Sequence, residues 1–170
     1  MGHYEHKQHA PTSVTCMVVT ISDTRTEATD VSGRYIRETL AQHGHQVNAY
    51  YLVKDEPEAI QQHLREGMNV QEIQVILCNG GTGISFRDRS YEAVTQVLEK
   101  RLDGFGELFR MLSYQEIGSA AMMSRAVAGI AGDTVIFSMP GSKNAVTLAM
   151  EKLILPELGH LVWELHKHVA

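Results

Sequence analysis

The sequence predicts a single α/β domain with a mostly parallel central sheet, and three observations support this prediction. Short continuous apolar runs, which are typical of parallel strands covered on both faces, occupy residues 14–21, 47–53 and 73–78. Helical patterns follow these runs, so strands and helices alternate along the chain. The 170 residues are 44% hydrophobic and 21% charged, as expected for one globular domain spanning residues 1–170.

Helix starts are predicted from capping residues and from proline positions. Asp30 or Ser32 can cap a helix after the first strand, and Pro57 suits the first position of the next helix. The segment 140–142 opens a further helix, and Pro156 begins a separate last helix.

The sequence predicts a pair of helices followed by two strands within residues 104–139. Residues 104–123 form the pattern of two short helices broken at Gly118, and residues 126–130 and 134–139 predict strands joined by a turn. The helical pair is rich in large apolar residues, which favours a core or subunit-interface position. These residues are Phe105, Leu108, Phe109, Met111, Leu112, Met122 and Met123.

Composition excludes several classes of protein. Residues 1–12 are polar without an apolar centre, so they predict a flexible tail rather than a signal peptide. No apolar run approaches the ~20 residues of a membrane span, which predicts a cytoplasmic protein without membrane contact. The net charge of −5 gives no general attraction to nucleic acid. Cys16 and Cys78 lie in apolar runs without a CxxC pattern, which predicts buried thiols and no disulfide.

The sharpest local signal is the loop formed by Gly80, Gly81, Thr82 and Gly83, directly after the third predicted strand. Three glycines in four residues let backbone N–H groups point toward one ligand without obstruction by a Cβ atom. Before a helix, such a loop can cradle a phosphate group, although it has neither the Walker A pattern nor the dinucleotide-binding spacing. A tight strand-to-helix turn explains the same residues equally well.

Two aspartates lie near this loop in the predicted topology. Asp55 follows the second strand, and Asp88 lies shortly after Gly83. Each alone is explained as a helix cap, with Asp88 or Ser90 capping the helix that follows the loop. Because the carboxyl ends of parallel strands meet at one edge of a sheet, the two carboxylates together can instead hold Mg²⁺ beside substrate phosphates.

Other polar segments lie at the same predicted edge. Residues 22–25 follow the first strand, and residues 140–143 form a second strand-to-helix junction. That junction offers another anion site, to which Lys143 adds charge, but an ordinary turn explains it equally well. Ser124 and Arg125 precede a strand and indicate no function by themselves.

Taken in order, several segments resemble the MoaB/MogA family of molybdenum-cofactor biosynthesis proteins, to which the G domain of gephyrin is related. The similarity spans roughly residues 14–160, nearly the whole domain, and the lysine that follows its last segment is typical of MoaB-type members. The segments are TISDTR at 20–25, GGTG at 80–83, RD at 87–88, GFGELFRMLSY at 104–114, EIG at 116–118, SRA at 124–126 and MPGS at 139–142.

The resemblance implies a three-layer α/β sandwich and a homo-oligomer, either a trimer or a MoaB-type hexamer built from trimers. It also implies molybdopterin binding. In catalytic members it implies adenylylation of molybdopterin with ATP and Mg²⁺, the reaction of a molybdopterin adenylyltransferase. The rival hypothesis is a catalytically silent molybdopterin-binding or scaffold protein of the same pathway.

Site residues follow from the same resemblance. The two essential aspartates of the family, which are catalytic and hold the metal, fall on Asp55 and Asp88. The pterin-side serine falls on Ser124. The other predicted phosphate-, nucleotide- and pterin-binding positions are Ser22, Gly80, Gly81, Thr82, Gly83, Pro140, Gly141 and Ser142.

Overall fold

A computed structural model describes residues 9–168, in which six strands form one sheet. The strands are β1 (Thr15–Ile21), β2 (Gln46–Val53), β3 (Val75–Asn79), β4 (Lys100–Arg101), β5 (Val127–Ala131) and β6 (Thr134–Met139). Their spatial order is β2-β1-β3-β6-β5-β4. The first four strands of this order are parallel, whereas β5 is antiparallel to both β6 and β4. The predicted mostly parallel sheet is confirmed.

The described residues also contain six α-helices. They are α1 (Val31–Gln42), α2 (Pro57–Met68), α3 (Ser90–Thr95), α4 (Asp103–Ile117), α5 (Lys143–Ala149) and α6 (Leu155–His166). A 3₁₀ helix, Gly118–Met123, follows α4. Gly118 has a φ of 69°, a left-handed conformation that suits glycine and ends the α-helix. The predicted break in the helical pair is therefore confirmed.

Helices cover both faces of the sheet. Along β1, Cys16 and Val18 face one apolar core, and Met17 and Val19 face the other. The first core is closed by α1, α4, α5 and α6, and the second by α2 and α3. Since a strand places alternate side chains on opposite faces, this division gives three layers. The three-layer sandwich implied by the resemblance is confirmed.

The starts of α1 and α3 show which capping predictions hold. Asp30 caps α1, because its carboxylate accepts a hydrogen bond of 2.9 Å from the N–H of Gly33. The predicted cap of α3 by Asp88 or Ser90 is wrong, since Arg89 precedes α3 and no side chain caps it. The carboxylate of Asp88 accepts instead from the N–H of Ser85, within the preceding loop.

The last two predicted helices are not separate. A π-helical turn, Met150–Ile154, joins α5 directly to α6. The N–H of Leu155 donates to the carbonyl of Met150, five residues earlier, which widens the turn. Pro156 has no N–H to donate and its ring crowds the preceding turn, so the wider π geometry accommodates it without ending the helix.

The remaining predictions concern the cysteines and the chain ends. Cys16 and Cys78 are buried free thiols, as predicted, and burial raises the pKa of each to about 12. Within residues 9–168, no helix has the length and apolarity needed to cross a membrane. The predicted flexible tail, residues 1–12, lies mostly outside the described residues. Its flexibility and the cytoplasmic location stay predictions.

Candidate functional site

The candidate site lies where the four parallel strands end. Val53, Ile21 and Asn79 close β2, β1 and β3, and Met139 closes β6. The pairing of Ile21 with Val53 and of Asn79 with Met139 aligns these ends at one edge of the sheet. The loops that follow them carry the predicted site residues. In open α/β sheets, ligands bind outside the carboxyl ends of the strands.

The glycine loop leaves β3 in a conformation that only glycine adopts easily. Gly80 and Gly81 have φ values of 106° and 66°. The N–H of Gly80 donates to the carbonyl of Met139 at 2.9 Å, which fixes the start of the loop. Among residues 9–168, no acceptor is hydrogen-bonded to the N–H groups of Gly81, Thr82 or Gly83. Three consecutive free N–H groups are what an anion cradle requires.

Asp55 lies beneath this loop. It is only 5% exposed, and its carboxylate accepts a hydrogen bond of 3.1 Å from the N–H of Arg89. A Cβ atom at Gly81 would collide with the Asp55 carboxylate and with the Oγ of Ser90. Burial raises the pKa of Asp55 to about 6, and the nearby charges of Asp88 and Asp23 add to this shift.

Asp88 lies at the other end of the same loop. Its Oδ2 accepts a hydrogen bond of 2.9 Å from the N–H of Ser85, and a Cβ atom at Gly83 would come within 2.7 Å of that oxygen. Asp55 and Asp88 therefore flank a four-residue loop, with one carboxylate beside Gly81 and the other beside Gly83. This arrangement brings the two predicted aspartates together.

These carboxylates fit a metal that relies on its substrate for ligands. Within residues 9–168, no group of three or more His, Cys, Asp or Glu side chains could hold a metal ion alone. Mg²⁺ is commonly held by one or two carboxylates, with phosphates and water completing its shell. A buried carboxylate with a raised pKa also gains from a nearby cation. Asp55 and Asp88 are the residues here that could supply such ligands.

Ser124 fits a ligand-binding role. Its Oγ is buried and has no hydrogen-bond partner within the described part of the chain. A buried hydroxyl without a protein partner is uncommon, and either water or a ligand can satisfy it. The N–H of the next residue, Arg125, donates to the carbonyl of Thr82 at 3.0 Å, so Ser124 adjoins the glycine loop.

The serines of the other two loops shape the backbone. The Oγ of Ser22 accepts from the N–H groups of Thr24 and Arg25, at 3.3 and 3.1 Å. The Oγ of Ser142 accepts from the N–H of Ala145 and caps α5. Both serines therefore have a structural task, and their contact with a ligand stays a prediction.

Pro140 and Gly141 bring the β6 loop against the glycine loop. A Cβ atom at Gly141 would lie 3.1 Å from the Cα of Gly80. The carbonyl of Gly141 accepts from Arg25 at 2.9 Å and from Ser32 at 2.7 Å. The two loops are therefore neighbours, and a ligand role of Pro140 and Gly141 stays a prediction.

Sequence reasoning missed a set of charged residues that connect these loops. Asp23 accepts from the guanidinium of Arg87 at 3.0 and 3.1 Å and from the N–H of Asp55 at 3.1 Å. These hydrogen bonds, with Arg87 contributing most, lower the pKa of Asp23. Glu56 forms a second ion pair with Arg87, at 2.8 Å. The position of Asp23 within the segment 20–25 was the only signal of its role in the sequence.

The raised pKa of Asp55 leads to a stability prediction. An aspartate in an unfolded chain titrates near pH 4, so between about pH 4 and 6 the folded protein holds the extra proton. The free energy of unfolding of the metal-free protein therefore falls as pH rises through this window. Asp55→Asn removes that penalty and still offers an acceptor to the N–H of Arg89. We expect the variant to be more stable than the wild type at pH 7.5, by on the order of 2 kcal/mol.

Urea unfolding of both proteins in EDTA, at pH 4 and pH 7.5, checks this prediction. The stability difference should be large at pH 7.5 and should shrink at pH 4, where Asp55 is protonated in the folded state and about half protonated in the unfolded state. A difference that is the same at both pH values would contradict an ionised, buried Asp55.

Comparison with known proteins identifies the family. Residues 17–160 match the family model described as a probable molybdopterin binding domain. The chain belongs to this family. Molybdenum cofactor biosynthesis protein B of Bacillus cereus is 57% identical over 168 residues, which cover 98% of this chain and 99% of that protein.

Solved structures of this molybdopterin-binding family share the fold. A crystal structure of molybdenum cofactor biosynthesis protein B, 56% identical, superposes with a TM-score of 0.90 over 94% of this chain and 100% of the other. The tungsten cofactor synthesizing protein MoaB from Pyrococcus furiosus, 36% identical, gives a TM-score of 0.82 over 91% of this chain and 98% of the other. The resemblance to MoaB/MogA proteins seen in the sequence is confirmed.

Proposed function

We propose that this protein acts in molybdenum-cofactor biosynthesis, where it binds molybdopterin and adenylylates it with ATP and Mg²⁺. Two features of the site support the proposal. Asp55 and Asp88 flank one glycine loop, and the loop presents three N–H groups without partners among residues 9–168. The raised pKa of Asp55 indicates that burial of its ionised carboxylate costs free energy. A site that only bound a pterin would not need this buried carboxylate. This buried carboxylate is the observation on which the proposal mainly rests.

The reaction that fits this site is a transfer of AMP. A phosphate oxygen of molybdopterin attacks the α-phosphorus of ATP, forming a new P–O bond. The bond between the α-phosphorus and the bridging oxygen to the β-phosphate breaks, and pyrophosphate leaves with the electron pair. Such a transfer depends on in-line positioning and on neutralisation of phosphate charge, more than on an acid or a base.

Each part of the site has a task in this proposal. The N–H groups of Gly81, Thr82 and Gly83 bind phosphate oxygens, and the Oγ of Ser124 takes a polar group of the pterin. Asp55 and Asp88 would hold Mg²⁺, which neutralises phosphate charge and lowers the barrier to displacement.

The rival proposal is a protein that binds molybdopterin without transferring AMP. The unpartnered Oγ of Ser124 and the glycine loop serve binding alone equally well, so they do not separate the two functions. The buried Asp55 favours catalysis, because a pterin phosphate is an anion and gains nothing from a carboxylate unless a cation lies between them.

Product analysis separates the two functions. Purified protein is incubated with molybdopterin, ATP and Mg²⁺, and a parallel sample contains EDTA. We expect adenylylated molybdopterin in the first sample and none in the second. Tight molybdopterin binding without product in either sample would support the silent binding protein and overturn the proposed transferase.

We also propose a homo-oligomer, trimeric or hexameric, with part of residues 104–123 at the interface. Phe105 and Phe109 are buried within the chain's own core, so they do not belong to the interface. The remaining apolar surface of α4 and the 3₁₀ helix is exposed, which indicates an association surface. It comprises Leu108, Met111, Tyr114, Ile117, Met122 and Met123.

A charge on this surface should break the assembly. Met111 is 51% exposed, and Met111→Glu would bury an unpaired carboxylate in any interface formed there. We expect light scattering to show the wild type as a trimer or hexamer and the variant close to the 18.9 kDa of one chain. Val31→Glu is the matched control, since Val31 is 49% exposed at the start of α1 and outside this surface. A wild-type monomer would contradict the proposed interface.

A further inference from the structure

Arg125, two residues before the start of β5, contacts both ends of the loop that carries Asp88. Its Nε donates to the carbonyl of Gly83 at 2.9 Å, and its Nη2 donates to the carbonyl of Asp88 at 2.7 Å. Its Nη1 binds the carboxylate of Glu92 in α3. The backbone N–H of Arg125 donates to Thr82. One residue is therefore hydrogen-bonded to four positions between residues 82 and 92.

The loop between these contact points has little packing of its own. Ile84 and Phe86 are 69% and 88% exposed, so their side chains do not anchor it. The N–H of Asp88 donates to the carbonyl of Ser85, and the N–H of Ser85 returns to the Asp88 carboxylate. Arg87 ties the middle of this loop to Asp23 and Glu56, and Arg125 holds its two ends. Both sets of contacts therefore fix the direction of the Asp88 carboxylate.

Arg125 is itself held in place. Its guanidinium lies 5.2 Å from the ring centroid of Tyr91, and its ion pair with Glu92 lowers the pKa of that carboxyl. Arg110 of α4 donates to the carbonyls of Ser124 and Ala126, the residues on either side of Arg125. A planar guanidinium fixed in this way meets three spaced acceptors from three different nitrogens, whereas the donors of a lysine share one nitrogen.

We propose that Arg125 is the positioning residue of Asp88, clamping residues 83–88 so that the carboxylate faces the glycine loop. This inference rests on the proposed function for its effect on catalysis. Each of the three guanidinium nitrogens donates to a protein acceptor, and two of these acceptors are the loop carbonyls, so the proposed role acts through the loop. Its role is distinct from a charge effect, because a lysine at this position keeps the charge and loses the geometry.

Kinetics of Arg125→Lys test the proposal. We expect kcat for AMP transfer to fall on the order of 10²-fold, as a displacement of about 1 Å does in other enzymes, with KM for ATP changed much less. Arg101→Ala is the matched control, because the Arg101 guanidinium also lies near the Tyr91 ring, at 6.0 Å, but pairs with Asp103 instead of the loop. Unchanged kcat in Arg125→Lys would overturn the proposal.

Chemical rescue of an Arg125→Ala variant distinguishes a positioning role of Arg125 from a general loss of the fold. Arg125→Ala leaves a space for a free guanidinium ion, so millimolar guanidinium chloride should restore part of kcat, while ammonium chloride at the same concentration should not. Equal rescue by the two salts, or rescue by neither in a folded variant, would overturn the clamp.

Hydrogen exchange tests the clamp without any catalytic activity. In Arg125→Lys, amides of residues 84–89 should exchange faster than in the wild type, whereas amides of β1 should not change. If the wild type transfers no AMP but this difference appears, the proposed function fails and the clamp stands. Unchanged exchange in residues 84–89 would overturn the clamp whatever the wild-type activity is.

Discussion

Asp88→Asn is expected to lower the rate of AMP transfer by on the order of 10²-fold or more while the fold stays intact. The amide oxygen of asparagine can still accept the hydrogen bond from Ser85, so the loop should keep its shape. What the variant loses is one negative charge beside the glycine loop, where the proposed Mg²⁺ would lie. Loss of that charge weakens metal binding and the neutralisation of phosphate charge in the transition state.

Steady-state kinetics with increasing Mg²⁺ checks this prediction. Asp133→Asn is the control, because Asp133 lies in the exposed turn before β6, at the opposite end of that strand from the site. We expect the control to match the wild type. Wild-type turnover in Asp88→Asn would restrict Asp88 to a structural role in its loop.

Gly81→Ala is expected to abolish AMP transfer and to destabilise the fold measurably. With a φ of 66°, Gly81 adopts a left-handed conformation that costs an alanine about 1–2 kcal/mol. The added methyl group would also collide with Ser90 and with the carboxylate of Asp55. Displacement of Asp55 removes one of the two carboxylates of the proposed metal site. The substitution therefore disturbs the metal site as well as straining the backbone of the loop.

Circular dichroism, thermal unfolding and steady-state kinetics of Gly81→Ala together check this prediction. The matched control is Gly104→Ala, since Gly104 has no atom within 4 Å of an added Cβ and lies in the exposed first turn of α4. We expect the control to keep wild-type activity and stability. A Gly81→Ala protein with normal turnover would show that neither the loop conformation nor the placement of Asp55 matters for the reaction.

The fold followed largely from local patterns. Buried parallel strands such as β3 are continuous apolar runs, so their existence could be predicted without knowledge of their neighbours. β4 could not be predicted, because its two residues, Lys100 and Arg101, are exposed and carry no apolar signal. The continuity of α5 with α6 was also missed, since a proline normally marks the start of a new helix and the π turn that absorbs it leaves no pattern.

Part of the candidate site could be predicted from the sequence, and part could not. Asp55 and the glycine loop could be predicted because each follows the end of a strand, and Asp88 because it lies shortly after that loop. The topology brings these strand ends together. The contacts of Arg125 could not be predicted. Its acceptors are backbone carbonyls of Gly83 and Asp88, 42 and 37 residues away, and a carbonyl contact depends on the conformation of the loop and leaves no mark on residue types.

The most direct test of the proposed transferase follows the phosphorus atoms of ATP. Two parallel reactions with molybdopterin and Mg²⁺ use ATP labelled at the α-phosphorus and at the γ-phosphorus. We expect the α-label in the pterin product and the γ-label in pyrophosphate, in equal amounts, and neither transfer in EDTA. Molybdopterin that stays bound and unlabelled while both labels remain in ATP would contradict adenylyl transfer and leave a binding protein.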